Sequence, residues 1–275
     1  MPLVILVFSF IISNLLRERK TTKERDTYFD ELERKKNELK VAQKIQQTFL
    51  PDTIPLLNDF DIAAFNIPAK EVGGDFYDFI PITDDKMGIA IANVSEKGVP
   101  AALLMALSKT IVQTKARETN QVSDVMEYLN KLVMIEADSG IDLSLFYAVL
   151  DMKKKILSYI NAGHDSPLVF KKDTENITEL ENENFHLGKI VNIEFKEKET
   201  LLNSGDILVF YTDGIINTLN EKEEYFGIEK LKTLIKENYT LPSENIVWKI
   251  KQEISFFSKD KPQFDDMTLI VLKVK

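Results

Sequence analysis

Residues 87–107 read MGIAIANVSEKGVPAALLMAL. Met87, Ile89 and Ile91 are apolar, and Ala90 and Ala92 are small, which predicts a buried strand running into Asn93. The turn Val94-Ser95-Glu96-Lys97-Gly98 then feeds a helix whose expected apolar stripe is Val99, Leu103, Ala106, Leu107 and Thr110. A strand end followed by a tight turn and a helix is a frequent position for a charged catalytic group. Here the strand ends in a neutral amide.

Outward from this unit, alternation and short apolar runs predict strands at 60–67, 75–82, 86–92, 143–151, 155–161, 166–171, 193–200, 206–212 and 267–274. The segment YAVLDMKKKILSYINAG reads as a hairpin turning at Lys153–Lys155. Helices are expected at 99–117, 122–137, 226–237 and 243–257. In the second of these, Val122, Val125, Met126, Leu129, Leu132 and Val133 share one face. Strands joined by hairpins, with helices in separate blocks, indicate an α+β fold rather than a doubly wound sheet.

Charge divides the chain into three. Residues 1–16, MPLVILVFSFIISNLL, carry none; residues 17–48 sum to +3, which leaves −12 of the total −9 on 49–275. The first run rises about 24 Å as a helix, short of the roughly 30 Å hydrocarbon core, but RERK follows it as a cytoplasmic flank would. It is expected to be a membrane-anchor segment, or the tail of a longer one, with the rest in the cytoplasm at the cell membrane; the alternative is an apolar helix docked on the domain or on a partner. Residues 17–50 are helix formers without Gly or Pro, and Tyr28, Leu32, Lys35, Leu39, Ala42, Gln46 and Phe49 form a weak heptad seam. This predicts a helical linker, solvated or pairing two chains as a homodimer. Residues 51–275 form the globular domain.

Composition removes several chemistries. The acidic domain argues against a nucleic-acid partner. With no Cys and only two His, neither a thiol nucleophile nor a Cys- or His-rich zinc site is available. Walker A, G-x-G and G-x-S-x-G patterns are absent. Forty-four Asp and Glu remain, which suit hard cations such as Mg²⁺ or Mn²⁺. Four polar clusters sit at strand ends: EVGGDFYDF (71–79), ANVSEKG (92–98), FYTDGI (210–215) and QFDDMT (263–268). Together they suggest carboxylates converging from separate strands, as a two-cation site needs. His164 in NAGHDSP reads either as a general acid or as a brace for the loop after the hairpin.

The order of these clusters resembles bacterial PPM (PP2C-like) serine/threonine phosphatases of the SpoIIE/RsbU type. The matching elements are AQKIQQTFLP (42–51), PAKEVGGDFYDF (68–79), NVSEKGVPAALLMA (93–106), LFYAVLD (145–151), NAGHDSP (161–167), YTDGI (211–215), FGIEKL (226–231) and FDDMTLIVL (264–272). The resemblance implies a four-layer αββα sandwich preceded by a long helical linker. It implies two Mn²⁺ or Mg²⁺ ions that activate a water against phosphoserine or phosphothreonine, with no catalytic side chain beyond that water. It further implies a phosphorylated STAS-type anti-sigma-factor antagonist as the partner. Asp75, Asp213 and Asp265 match the metal positions, with Asn93 and Val94 at the bridging position. Asp78, Glu96, Gly214, Asp266 and His164 are second-rank candidates.

At 93–98 the family usually reads D-V-S-G-K-G, so Asn93 stands where a carboxylate bridges the metals and Glu96 where a glycine stands. A neutral amide is a weaker ligand for hard cations. Glu96 is expected either to carry the lost charge on its longer arm or to strain a turn position of positive φ. The rival expectation to an active phosphatase is a pseudophosphatase that binds a phosphoprotein or regulator without turnover.

Overall fold

A strand buried on both faces needs apolar residues at every position, and Ile207–Tyr211 (ILVFY) is buried throughout. Leu208 and Phe210 face one core; Ile207, Val209 and Tyr211 face another. The same split occurs in Leu143–Asp151, where Leu145, Tyr147 and Val149 separate from Phe146, Ala148 and Leu150. This period-2 partition between two cores is what builds four layers.

The computed structural model describes residues 2–51, 53–135, 142–181, 185–191, 193–259 and 261–275. Residues 136–137 of the second expected helix lie outside this set, as does Met1 of the apolar run. The strands are β1 Phe60–Ile67, β2 Phe76–Thr83, β3 Lys86–Val94, β4 Leu143–Asp151, β5 Ile156–Ala162, β6 Leu168–Lys171, β7 Asn176–Glu179, β8 Lys198–Leu201, β9 Ile207–Tyr211 and β10 Met267–Val274. The helices are α1 Pro2–Gln47, α2 Val99–Ala116, α3 Val122–Ile135, α4 Asp213–Ile216, α5 Ile228–Asn238 and α6 Ser243–Ser258.

Two five-stranded sheets result, ordered β1-β10-β9-β6-β7 and β2-β3-β4-β5-β8, and every pairing between named strands is antiparallel. Helices α2 and α3 pack on the second sheet, α5 and α6 on the first. One core lies under α2 and α3, one between the sheets and one under α5 and α6. This is the expected αββα sandwich.

Two local expectations are corrected, and one strand had not been expected. The apolar stripe of α2 faces outward, with Leu103 67% exposed, while Ala101, Met105, Ser108, Lys109, Val112 and Ala116 are buried. The helix is apolar around most of its circumference, so spacing alone could not select the side. The strand expected over 193–200 shrinks to β8, because Ile193 and Phe195 pack on the core without joining a ladder. Strand β7 had no signal, since NITE is a short, largely exposed edge strand of polar composition.

The chain divides into two units, 1–45 and 46–275. Helix α1 accounts for the first, and Tyr28, Phe29 and Leu32 on it are exposed. Among the described residues no helix is long and apolar enough to cross a membrane.

One buried ion pair ties α2 to its sheet. Lys109 Nζ donates to Asp78 Oδ2 at 2.6 Å, and both side chains are almost fully buried. Asp78 Oδ1 accepts from the Phe79 amide. Burial pushes the Asp78 carboxyl up, and the lysine pulls it back. Removing the cation leaves a buried charge alone, so Lys109→Met is expected to lower stability by about 3 kcal/mol. Urea unfolding measures this. Adding Asp78→Asn should recover most of the loss, and undiminished stability in the single variant would show that the pair carries none.

Candidate active site

The inter-sheet core becomes polar at one end. Tyr77 and Phe79 of β2 face the other sheet, so two-residue alternation also turns Asp75 inward. By the same parity, Ile89 and Ile91 lead to Asn93, Phe146 to Ser144, Tyr159 to Asn161, Phe210 to Thr212, and Ile270 to Thr268 and Asp266. The registers bring these ends together: Phe76 pairs with Ala92, Asn93 with Ser144, Leu145 with Ala162 and Asn66 with Thr268. Asp78 has the opposite parity, shared with Phe76 and Ile80. It faces α2 and Lys109, and is removed from the candidate set.

Asp75 is 3% exposed. Its Oδ2 accepts from Thr212 Oγ1 at 2.6 Å and Thr268 Oγ1 at 2.9 Å, both from the opposite sheet. Its Oδ1 is buried with no hydrogen-bond partner among the described residues. Burial, then Asp266, then Asp213 hold the carboxyl well above its usual range, against the two hydroxyls. Asp213 opens α4 and is also raised, by burial and then Asp265. Its Oδ1 accepts from Asn93 Nδ2 at 3.0 Å and its Oδ2 from Asn217 Nδ2 at 3.2 Å.

Asp265 meets a lysine. Lys97 Nζ lies 3.1 Å from Asp265 Oδ2, donates to the Phe264 carbonyl at 2.6 Å and sits 3.9 Å over the Phe264 ring. Asp266 is a brace: its oxygens accept from the Ala69 and Gly74 amides at 2.7 and 2.6 Å. A Cβ at Gly73 would lie 2.4 Å from Asp266 Oδ2, and one at Gly214 would lie 2.0 Å from the Asp266 carbonyl, which explains the glycines beside both aspartates. Gln46, in the last turn of α1, clasps Gly73 with both amide atoms.

Two expectations at the 94–98 turn change. Glu96 is exposed and not at positive φ; the turn's left-handed residue is Gly98, at 85°. Glu96 takes no part in the site's hydrogen bonds, and the turn residue that enters the site is Lys97. His164 is buried and pushed down to about 3 by burial, so it is neutral and unsuited to general-acid work near neutrality. Its backbone is held at both ends by Asn161, and its Nδ1 lies 3.1 Å from Ser144 Oγ. It is a brace.

Among the described residues no three His, Cys, Asp or Glu side chains form a ready-made cage. The donor chemistry nevertheless fits a hard divalent cation. Asp75, Asp213 and Asp265 supply carboxylate oxygens, Asp75 Oδ1 has no protein donor, and the Val94 carbonyl approaches Gly74 so closely that a Cβ there would lie 2.8 Å from it. Lys97 pairs with Asp265, and the Asn93 amide donates to Asp213.

The Stage II sporulation protein E (SpoIIE) family matches residues 83–275. The chain belongs to the SpoIIE family. It is 30% identical over 240 residues to phosphoserine phosphatase RsbU of Bacillus subtilis, covering 87% of this chain and 71% of that protein. It also resembles RsbP of the same organism, at 24% identity, with 87% of this chain and 58% of that protein covered. In fold it matches the SiaA PP2C domain of Pseudomonas aeruginosa, with a TM-score of 0.77 at 20% identity over 88% of this chain and 98% of that one. A structure of RsbX in complex with magnesium matches with a TM-score of 0.63 at 15% identity, over 81% and 99% of the two chains.

Within this SpoIIE-family site, sequence reasoning passed over Lys97, Thr212, Thr268, Asn217 and Asp165. Asp165 follows His164 on the β5–β6 loop, and burial followed by Asp213 pushes its carboxyl up to about 6. Unfolded, it releases its proton near pH 4. Ionised Asp165 therefore disfavours the folded state, a cost absent below about pH 4 and complete above about pH 6. In EDTA, Asp165→Asn is expected to raise Tm near pH 7.5 and to leave it unchanged near pH 4. Equal Tm at the higher pH would place Asp165 in solvent, away from Asp213.

Proposed function

We propose that this chain is a divalent-metal-dependent protein phosphatase that hydrolyses phosphoserine or phosphothreonine on a regulatory protein, with a STAS-type anti-sigma-factor antagonist as the substrate class. Membership of the SpoIIE family and the likeness to a phosphoserine phosphatase support this reading. The observation that carries it is Asp75: a buried carboxylate with one oxygen fixed across the sheets and the other unsatisfied beside Asp213 and Asp266.

Asp75, Asp213 and Asp265, with the Asn93 side chain and the Val94 carbonyl, are the groups that would hold Mg²⁺ or Mn²⁺, one ion firmly and a second weakly. A bound divalent ion supplies positive charge against the phosphoryl oxygens and activates the attacking water. Thr212 and Thr268 hold Asp75 in one orientation, and Asn217 steadies Asp213. Lys97 keeps Asp265 neutralised at the mouth of the site.

A specific observation favours a second reading, a pseudophosphatase that binds a phosphoprotein without turnover. Asp213, Asp265 and Asp266 each already have protein donors, which lowers the need for cations. Substitution separates the two. Asn93→Asp places carboxylates beside each other at 93 and 213, an arrangement that demands a cation. It is expected to tighten Mg²⁺ binding and to raise p-nitrophenyl phosphate turnover at least ten-fold, about 1.4 kcal/mol of barrier. Glu96→Gln should leave both nearly unchanged. Calorimetry that detects no Mg²⁺ or Mn²⁺ in either the wild type or Asn93→Asp would sink the metal-dependent reading and leave the binding one.

We also propose that residues 17–50 pair two chains as a parallel homodimer and that residues 1–16 attach the protein to the membrane, with the catalytic domain in the cytoplasm. The Tyr28 and Leu32 seam, and the uncharged run before RERK, support this. Light scattering of the full chain in mild detergent should give a dimer. Flotation with phospholipid vesicles should be lost on deleting 2–16. A monomer at every concentration, or flotation that survives the deletion, would refute the respective half.

A further inference from the structure

A cavity of about 540 Å³ opens beside the carboxylates and shares Gly214, Asn217 and Asp265 with their surroundings. That volume is within the range of natural ligand sites. Its apolar wall comes from Phe65 and Ile67 of β1, Ile254 of α6 and Met267 of β10. These are rigid elements, as a binding site needs. Phosphoryl transfer makes no use of an apolar wall; it needs charge and hydrogen-bond donors.

The cavity differs from the site in charge as well as polarity. Residues 49–275 carry −12, yet two lysines, Lys251 and Lys261, stand in its lining. Lys261 is engaged by Glu223. Lys251, exposed on α6, lies with Nζ 5.8 Å from the Phe65 ring. An occupant that is apolar with an acidic neighbour would complement this wall.

We infer that the cavity receives an apolar side chain of the substrate protein lying within two residues of the phosphoserine, with an acidic residue next to it facing Lys251. The inference rests on the phosphatase reading above. A phosphoryl group among Asp75, Asp213 and Asp265 leaves its peptide at the rim formed by Asn217 and Asp265. An extended chain advances about 3.3 Å per residue, so one or two residues carry a neighbouring side chain into the cavity. Gln263 fixes that rim by donating to the Ile67 and Asp265 carbonyls. Selection of substrate is thus assigned to β1 and α6, elements that contribute no carboxylate to the chemistry.

The test uses peptides carrying the non-hydrolysable phosphonate analogue of phosphoserine, with Leu, Ser or Lys placed at each of the two positions on either side. Binding to the full chain in MgCl₂ is read by fluorescence anisotropy. At one flanking position Leu should bind about ten-fold tighter than Ser, the scale of discrimination an apolar pocket provides. Ser255 is exposed on α6 and lines the cavity, so Ser255→Trp fills it. This variant should abolish the Leu preference while its p-nitrophenyl phosphate turnover stays near wild type. Lys251→Glu, at an exposed helix position, should reverse any preference for a neighbouring Asp over Lys. Equal affinity for Leu and Ser peptides at every position, or a preference that persists in Ser255→Trp, overturns the inference. Absence of p-nitrophenyl phosphate turnover in the wild type would instead count against the phosphatase reading, because peptide binding is measured separately.

Discussion

Asp75 is held across the gap between the sheets. It enters from the β2 side, and its Oδ2 is gripped by Thr212, just past the end of β9, and by Thr268 of β10. Thr212 Oγ1 also accepts from the Thr268 amide, so the two threonines are locked to each other before they reach the aspartate. A hydroxyl that donates to Asp75 has only its lone pairs left, and Thr212 offers one to the Thr268 amide while Thr268 offers one to the Asn66 side-chain amide. The same contact that closes the polar end of the sandwich leaves Asp75 Oδ1 exposed to nothing but its own neighbours. A buried, partnerless carboxylate oxygen is costly in a fold that exists only for stability. It is intelligible where another positive group is to arrive.

The fold was legible because its strands are simple. Period-2 alternation located most of the observed strands, and the hairpin at Lys153–Lys155 is where the run of lysines placed it, with Lys155 at positive φ. What spacing could not choose was a side. Helix α2 has apolar residues nearly all round, and the buried face was decided by Ala101 and Met105 fitting the sheet and by Lys109 finding Asp78. The site was legible in part for the same reason. Asp75, Asp213 and Asp265 stand at strand ends beside glycines, a visible pattern. Thr212 and Thr268 stand in equally ordinary text, and only the three-dimensional parity of β9 and β10 turns them toward Asp75. Lys97 was hidden because its importance depends on how the 94–98 turn is aimed at Phe264 and Asp265.

That turn decides the electrostatics. In the carboxylate-rich end of a sandwich, charge repulsion must be answered by cations, protons or donors. This chain answers it with an ammonium on Asp265, two amides on Asp213 and backbone amides on Asp266. Asn93 is consistent with this pattern. A carboxylate there would add repulsion against Asp213, whereas the amide supplies a donor at 3.0 Å. The amide thus relieves Asp213, while Asp75 Oδ1 keeps no donor and both carboxyls remain raised by burial and by their acidic neighbours.

The loop before Asp75 is fixed from outside the site as well as from within. Its backbone is held at three points: Ala69 and Gly74 by Asp266, and Gly73 by Gln46. Two of these grips come from the carboxylate next to Asp265, and the third from the last turn of α1. Gly73 has no side chain to interfere, since a Cβ there would strike Asp266. The Gln46 side-chain amide thus fixes the backbone two residues from Asp75. Gly74 is fixed as closely: its amide is bonded to Asp266, and a Cβ there would lie 2.8 Å from the Val94 carbonyl oxygen.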